Sequence, residues 1–230
     1  MILPGWGQAG QNKIKQATVF IAGAGGLASS AAIYLASAGI GCIRICDSDK
    51  VELSNLNRQI FHTDGDIGKN KAASAGQTLS KINPHVKIDS LCEHIKRDNI
   101  AQLVADSQII IDGLDNFQTR YIVNEYAVKT QLPFIHAGVN GMAGQITFIH
   151  SPQTPCLQCI FPGQAPAEVF PVVGTAPGVI GALQALEALK YLIGTETLLK
   201  NRMLVWEGDL VNFEEVSIKK NPSCSVCGNR

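Results

Sequence analysis

The 230-residue sequence has no excess charge of either sign and no apolar run long enough to cross a membrane. Lys and Arg together number 19, as do Asp and Glu, so no overall field would attract nucleic acid or an anionic membrane. A membrane helix needs roughly 18 consecutive apolar residues. Met1 is not followed by a basic and then apolar signal pattern. We therefore expect a cytoplasmic protein without a membrane partner, and the charge balance disfavours nucleic acid as a partner.

The sequence also lacks internal repeats, low-complexity tracts, and any Ser/His/Asp or Cys/His arrangement that would indicate nucleophilic catalysis. Its five histidines are scattered, and we assign none of them a role. Apolar residues make up 46% of the chain, which is enough for a substantial buried core. We expect one domain over residues 1–230, with a nucleotide-binding half at 1–138 and a second half at 139–230.

Short apolar strands alternate with helical patterns, and glycines separate them. This alternation predicts an α/β fold with a doubly wound, mostly parallel, Rossmann-like sheet. The pattern changes after residue 138 and predicts an antiparallel extension. The expected strands are 18–22, 43–46, 86–91, 108–111, 134–137 and 145–150, with a closing hairpin of 203–206 and 213–218. The expected helices are 27–38, 68–81, 99–105, 116–129 and 179–193, and residues 161–177 are expected as a long loop.

The first strand leads into a glycine turn, Gly23-Ala-Gly25-Gly26, which precedes a helix. Glycines there let the backbone approach a phosphate, and the N–H groups that start the helix favour negative charge. Asp47 ends the second strand, where an acid accepts hydrogen bonds from ribose hydroxyls. These features predict a nucleotide site, but they do not distinguish NAD from ATP.

The segment after Asp47 favours ATP. A dehydrogenase needs no arginine beyond its ribose acid, whereas an enzyme that cleaves ATP must neutralise charge on the transferring phosphates. Arg58 is a forked, permanently charged donor that suits this task. Lys71 can supply a second cation, although it also fits a solvated surface charge.

Asp115 follows an apolar strand at the edge where ligands of such sheets bind. Its carboxylate can hold the Mg²⁺ that accompanies ATP, or it can cap the helix that follows. Asp112 and Asp49 are weaker candidates for the same metal.

Four of the seven cysteines form two C-x-x-C pairs, Cys156/Cys159 and Cys224/Cys227. Each pair suits one side of a tetrahedral Zn²⁺ site, and four sulfurs would close a structural site. Two redox pairs or an iron–sulfur cluster are the alternatives. The other three, Cys42, Cys46 and Cys92, are expected as core thiols.

With these motifs in place, the chain resembles the MoeB/ThiF/HesA family, the relatives of ubiquitin-activating enzymes. The resemblance rests on the glycine turn, the run ELSNLNRQ, GVIGALQALEALK and the final NPSCSVCG, and it covers nearly the whole length. It implies a homodimer that binds MgATP and adenylates the C-terminal glycine of a ubiquitin-like sulfur-carrier protein, as in molybdopterin or thiamin pathways. The second half of the chain would then bind the carrier and bear the zinc.

The resemblance also implies roles for single residues. Arg58, Lys71 and Asp115 would be catalytic, with Asp115 on Mg²⁺, and the four paired cysteines would bind Zn²⁺. The residues implied in the nucleotide site are Gly23, Gly25, Gly26, Asp47, Asp49, Ser54, Asn55, Arg58, Gln59, Lys71, Asp115 and Asn116.

Two departures from the family pattern qualify this assignment. Residues 161–176 contain no cysteine for a covalent link to the carrier, so we expect adenylation without a thioester step. The arginine that relatives carry upstream of the ILLP-like start is missing before Met1-Ile-Leu-Pro4. Either the start is trimmed, or another cation such as Lys13 substitutes for it, or activity is low. The alternatives are the same ATP chemistry on a tRNA base or a peptide, an NAD-dependent oxidoreductase, and an inactive relative that only binds a partner.

Overall fold

The computed structural model describes residues 6–163 and 171–228 of the protein. Helices and strands alternate along most of the chain. The strands are β1 Thr18–Ala22, β2 Cys42–Cys46, β3 Lys87–Leu91, β4 Ile109–Asp112, β5 Phe134–Asn140, β6 Ala143–Ile149, β7 Arg202–Glu207 and β8 Asn212–Ser217. The helices are α1 Gly7–Gln16, α2 Gly26–Ser37, α3 Lys71–Ile82, α4 Ile100–Val104, α5 Phe117–Thr130, α6 Leu157–Ile160 and α7 Thr175–Ile193, with 3-10 turns at Leu53–Asn55 and Asp64–Asp66.

The strands form one eight-stranded sheet in the order β3-β2-β1-β4-β5-β6-β7-β8. The first five strands are parallel, and β6, β7 and β8 continue the sheet in antiparallel fashion. This arrangement confirms the predicted doubly wound sheet and its antiparallel extension. In the parallel part, Ala22 pairs with Cys46 on one side and Asp112 on the other. The residues that follow these three therefore emerge together at the carboxyl edge of the sheet.

The core lies on both faces of the sheet, because side chains of β1 alternate between them. Val19 and Ile21 pack into the cluster that contains α2 and α7, whereas Phe20 packs into the cluster that contains α4 and α5. Helices α2 and α7 approach closely where Gly181 meets the backbone of Leu27. A Cβ on Gly181 would lie 2.3 Å from the Leu27 carbonyl oxygen, so only glycine permits this contact.

Some boundaries differ from the predicted ones. Helix α7 begins at Thr175 rather than 179, because Pro177 falls in its first turn, where the missing N–H has no helical partner to lose. The cap of α5 is Asn116, whose side chain accepts a hydrogen bond from the Thr119 N–H at 2.9 Å. The prediction that Asp115 caps this helix is therefore wrong.

Two further expectations concern the cysteines outside the C-x-x-C pairs and the loop at 161–177. Cys46 is buried as predicted, but Cys42 is half-buried and Cys92 is exposed, so the expectation of a core thiol at Cys92 is wrong. Of the expected loop at 161–177, residues 164–170 lie outside the described residues.

None of the helices in residues 6–163 and 171–228 combines the length and apolar character needed to cross a bilayer. The assignment of residues 1–230 to one domain stays a prediction.

Candidate nucleotide site and cysteine cluster

The glycine turn lies directly against the end of β4. Gly23 has φ +93°, and a Cβ there would lie 2.6 Å from the carbonyl oxygen of Gly113. Gly23 donates its N–H to the Cys46 carbonyl at 2.8 Å, and Gly113 donates to Ala22 at 2.7 Å. The turn is thus built from backbone on three neighbouring strands, and it brings bare main chain to the carboxyl edge of the sheet.

Helix α2 begins at Gly26 with Gly25 as its cap residue, so no cap side chain covers its first N–H groups. The free N–H groups at a helix start, together with the helix dipole, favour a phosphate. The first turn of α2 packs against α7, since a Cβ on Gly26 would lie 3.0 Å from Pro177. The start of α2 is therefore packed between Pro177 of α7 and the backbone of Arg58.

Asp47 lies beside this turn and holds it. Its Oδ2 accepts from the Ala24 N–H at 2.8 Å, and its Oδ1 accepts from the Asp49 N–H at 2.8 Å. Burial raises the pKa of Asp47, although these two backbone hydrogen bonds partly oppose the shift. Each carboxylate oxygen keeps a lone pair, so Asp47 can also accept from ribose hydroxyls.

The segment from Ser54 to Gln59 crosses over the glycine turn. The Arg58 carbonyl oxygen lies 3.2 Å from the position of a Cβ on Gly26, and Gln59 Nε2 lies 3.9 Å from that on Gly25. Gln59 is buried and its Oε1 has no hydrogen-bond partner in the described part of the chain. The structure therefore brings this predicted phosphate-side segment into contact with the predicted nucleoside turn.

The Arg58 guanidinium is held along one edge only. Nη1 donates to the Ser54 carbonyl and to Asn57 Oδ1, both at 2.9 Å. Within residues 6–163 and 171–228, neither Nε nor Nη2 has a hydrogen-bond partner. Two donors of the fork are thus left for an anion. Asn55 is buried and accepts from the Glu52 N–H at 3.1 Å, which fixes the turn that carries Ser54.

Lys71 opens α3 and is largely buried. Its Nζ lies 3.2 Å from Asp49 Oδ2, and the exposed fractions of the two side chains are 11% and 61%. Two predicted nucleotide-site residues therefore pair with each other. Because Asp49 is well solvated, Lys71 loses little interaction free energy when it leaves Asp49 and binds a phosphate.

Asp115 lies two residues beyond Gly113 and is exposed. Its Oδ1 accepts a long hydrogen bond of 3.3 Å from Asn116 Nδ2, so both carboxylate oxygens have lone pairs left. Such a carboxylate can bind a hard cation such as Mg²⁺.

Asp112 cannot bind Mg²⁺, so its prediction as a magnesium ligand is wrong. It is fully buried, its Oδ2 accepts from Arg120 Nε at 3.0 Å and His136 Nδ1 at 2.7 Å, and its Oδ1 accepts from the Leu114 N–H at 3.0 Å. Burial alone would raise the pKa of Asp112, but Arg120 and His136 outweigh it and hold the pKa below its usual range. Burial lowers the pKa of His136.

Sequence reasoning missed this buried cluster of Asp112, Arg120 and His136. Its members lie 8 and 24 residues apart in the chain, so no local motif joins them. One signal was present: an acid that ends a wholly apolar strand must be paired when buried, and Arg120 lies on the next helix.

The four paired cysteines meet on the face of the sheet that packs against α5, in the same apolar cluster as Phe134 of β5. Their sulfur atoms all lie within 4.8 Å of one another, and Sγ to Sγ distances are 3.7 Å for Cys156–Cys224 and 3.4 Å for Cys159–Cys227. A tetrahedral zinc with Zn–S bonds of about 2.3 Å separates its sulfurs by about 3.8 Å. The donor set and spacing therefore fit a closed tetrahedral metal site.

The surroundings of the cluster favour a thiolate at Cys224. Burial opposes ionisation of Cys224, but the N–H groups of Cys227 and Val226 outweigh it and lower its pKa to about 7. The Asn221 N–H also points at Cys159 Sγ, at 3.4 Å. The cluster is tied to α5 because Leu157 donates its N–H to Asn124 at 2.8 Å.

Comparison with known proteins decides the family. The family model described as the ThiF family matches residues 1–226. The chain belongs to the ThiF family. It is 35% identical to a sulfur carrier protein adenylyltransferase from Thermus thermophilus, over all of this chain and 89% of that protein. It is 36% identical to the SAMP-activating enzyme E1 of Haloferax volcanii, over 96% of this chain and 84% of that protein.

Longer relatives and solved structures give the same picture. The chain is 36% identical to the maize adenylyltransferase and sulfurtransferase MOCS3-2, and it spans about half (49%) of that protein's length. The structure of Escherichia coli MccB with ATP superposes with a TM-score of 0.83 and 27% identity, over 96% of this chain and 69% of MccB. As a member of this family the chain is an adenylyltransferase.

Proposed function

We propose that the protein uses ATP to adenylate the C-terminal glycine carboxylate of a ubiquitin-like sulfur-carrier protein. The observation that carries this proposal is the contact between the segment bearing Arg58 and the glycine turn, which joins a phosphate-neutralising group to a nucleoside site. Family membership supports adenylyl transfer, and the bacterial and archaeal relatives are named for activating such carriers.

In the proposed reaction, a carboxylate oxygen of the carrier attacks the α-phosphorus of ATP. A new O–P bond forms, the bond to the bridging α–β oxygen breaks, and pyrophosphate leaves with the electron pair. The carboxylate is already a competent nucleophile, so no general base is needed. The rate enhancement then comes from alignment and from stabilisation of charge at the phosphates.

The chain's own residues divide this work. Asp47 and the turn from Gly23 to Gly26 hold the nucleoside and the first phosphate, with Ser54, Asn55 and Gln59 lining the same side. Arg58 places its free Nε and Nη2 edge on the phosphates, and Lys71 leaves Asp49 to do the same. Asp115, with Asn116 beside it, would hold Mg²⁺, which supplies further charge neutralisation at the phosphates.

The remaining parts of the proposal concern assembly and the metal. We propose a homodimer in the cytoplasm, with Zn²⁺ bound by the four paired cysteines in a structural role. The pathway of the carrier, whether of molybdopterin or thiamin type, is left to the identity of that carrier. The reaction ends at the acyl-adenylate, without a loop-cysteine thioester.

The test is pyrophosphate exchange into ATP with a purified carrier that ends in Gly-Gly. We expect exchange with the intact carrier and none with a carrier whose C-terminus is amidated. Arg58→Ala should lower the exchange rate by at least tenfold, because it removes a permanent charge from the phosphates. The matched control is Arg97→Ala, an exposed arginine paired with Glu125, which should leave the rate unchanged. Equal rates in the two variants would refute the role of Arg58.

The MccB neighbours support a second candidate, which is the same ATP chemistry on a different acceptor. Structures of MccB with ATP and with MccA each superpose on this chain with a TM-score of 0.83. Exchange that occurs with a short peptide but not with a Gly-Gly carrier would favour this candidate. An NAD-dependent oxidoreductase has no support among the relatives named here.

A further inference from the structure

The residue that precedes Asp115 is held at both of its backbone polar groups by buried side chains. The Leu114 N–H donates to Asp112 Oδ1 at 3.0 Å. The Leu114 carbonyl accepts from Arg120 Nη2 at 2.5 Å, and the same Nη2 donates to the Ala137 carbonyl at 3.0 Å. The loop between β4 and α5 is therefore tied to the middle of β5, at Ala137, through one guanidinium.

The guanidinium is in turn fixed by what surrounds it. Its Nε donates to Asp112 Oδ2, which also accepts from His136 Nδ1. Because Asp112 is ionised and accepts only, Nδ1 of His136 is the protonated nitrogen. Asp112, Arg120 and His136 are all more than nine-tenths buried, so each depends on the others for compensation of its polar groups.

Aromatic rings close this cluster on the side of the cysteine cluster. The Phe161 ring lies edge-on to both His136 and Phe117, each with centroids 5.5 Å apart. The Arg120 guanidinium lies over Phe117, 5.2 Å from its centroid. Phe161 follows Cys159 by two residues, so the segment that leaves the cysteine cluster covers the buried charges.

We propose that Asp112, Arg120 and His136 are positioning residues that set the place of Asp115 for adenylyl transfer, with Phe161 sealing them from water. This inference rests on the proposed function, and it adds residues that need not touch ATP. The three side chains act on Asp115 by fixing the backbone of Leu114, since a displacement of about 1 Å at a reacting group can cost on the order of 100-fold in rate.

The experiment compares two substitutions at His136. His136→Asn keeps an N–H donor for Asp112, whereas His136→Phe keeps a ring of similar size and removes the donor. We expect His136→Phe to lower kcat for pyrophosphate exchange by about tenfold or more, with KM for ATP changed less than about twofold. His136→Asn should restore most of kcat. A loss of kcat without a change in KM is expected because the turn and Asp47, which bind the nucleoside, are untouched.

A double-mutant comparison separates positioning from a general structural effect. In the background of Asp115→Ala, His136→Phe should cost little further activity, because the group that it positions is gone. A full additional loss in that background would overturn the proposal, as would an equal loss in the Phe and Asn variants. Should His136→Phe not fold, Arg120→Lys serves instead, since it keeps the charge beside Asp112 and loses the fork that reaches Leu114.

A readout without activity tests the geometry itself. The amide of Leu114 should exchange with solvent deuterium at least tenfold faster in His136→Phe than in the wild type, and at close to the wild-type rate in His136→Asn. Unchanged protection of this amide would overturn the proposal even if the enzyme proves inactive. Absence of exchange activity in the wild type with any Gly-Gly carrier would instead refute the proposed function, and the amide measurement would still decide the positioning role.

Discussion

Alanine substitutions at two glycines of the turn, Gly23 and Gly25, are expected to have different effects, with Gly68 outside the turn as the control. Gly23 and Gly68 both have positive φ, +93° and +86°, but only Gly23 is crowded: its Cβ would lie 2.6 Å from the Gly113 carbonyl oxygen, whereas Gly68 has nothing within 4 Å. The left-handed conformation costs an L-residue about 1–2 kcal/mol. A forced contact inside a packed region costs about 1–3 kcal/mol more.

Gly23→Ala should therefore lower the free energy of unfolding by about 2–5 kcal/mol. Gly68→Ala is the control for backbone strain, and its cost should be lower by the overpacking contribution of about 1–3 kcal/mol. Replacing Gly by Ala also lowers the entropy of the unfolded chain, which raises the free energy of unfolding. This gain is the same in both variants and cancels in the comparison. Urea unfolding followed by circular dichroism measures this difference. Equal stabilities of the two variants would refute the close packing of the turn on Gly113.

Gly25→Ala separates binding from stability at the same turn. A Cβ at Gly25 meets the Gly113 oxygen at 3.4 Å and Gln59 Nε2 at 3.9 Å, which are ordinary contacts, and its φ is −88°. We expect stability within about 1 kcal/mol of the wild type, the difference between Gly and Ala at a helix cap. ATP should bind at least about tenfold more weakly, or about 1.4 kcal/mol, because the Cβ occupies space that the phosphate needs. Calorimetry that finds unchanged ATP affinity would place the phosphate elsewhere.

Three further predictions concern the metal, the buried histidine and the second cation. Purified protein should contain one zinc per chain, and Cys227→Ser should lower both zinc content and thermal stability, whereas exposed Cys92→Ser should change neither; well under one zinc per chain would argue against the site. Because burial lowers the pKa of His136, the unfolded state takes up a proton that the folded state does not as pH falls below about 6.5. Stability should then fall by up to about 1.4 kcal/mol per pH unit for this group, and His136→Asn should remove that part of the slope between pH 6.5 and 5.5; an identical slope in variant and wild type would contradict this. Lys71→Ala should raise KM for ATP several-fold, whereas Lys69→Ala, which removes an exposed cation paired with Asp66, should not, and equal effects would place Lys71 outside the site.

The sheet could be predicted from the sequence because its central strands β1 and β4 are almost wholly buried and appear as continuous apolar runs, each followed by a glycine. The change to antiparallel pairing after residue 138 could also be predicted, because β6 follows β5 with no helix between them. The exact ends of the helices were harder to predict from the sequence. Asp115 and Asn116 are both good cap residues, and one residue of helix phase decides between them, which no local pattern specifies.

The candidate site divides in the same way. The turn, Asp47 and Arg58 lie within one continuous stretch, so their proximity could be predicted from their spacing in the sequence. The pairing of Lys71 with Asp49 and the burial of Asp112 depend on where separate elements pack. Asp112 and Asp115 look alike in sequence, but one is enclosed by Arg120 and His136 and the other is exposed.

Adenylyl transfer to a carrier carboxylate can be observed as a change in the intact mass of the carrier after incubation with enzyme and MgATP. We predict a species heavier by one adenylyl group on a carrier ending in Gly-Gly, with one pyrophosphate released per adenylate, and no such species on an amidated carrier or with Arg58→Ala. Pyrophosphate release without an adenylated carrier, or an adenylate that forms equally well on the amidated carrier, would contradict the account.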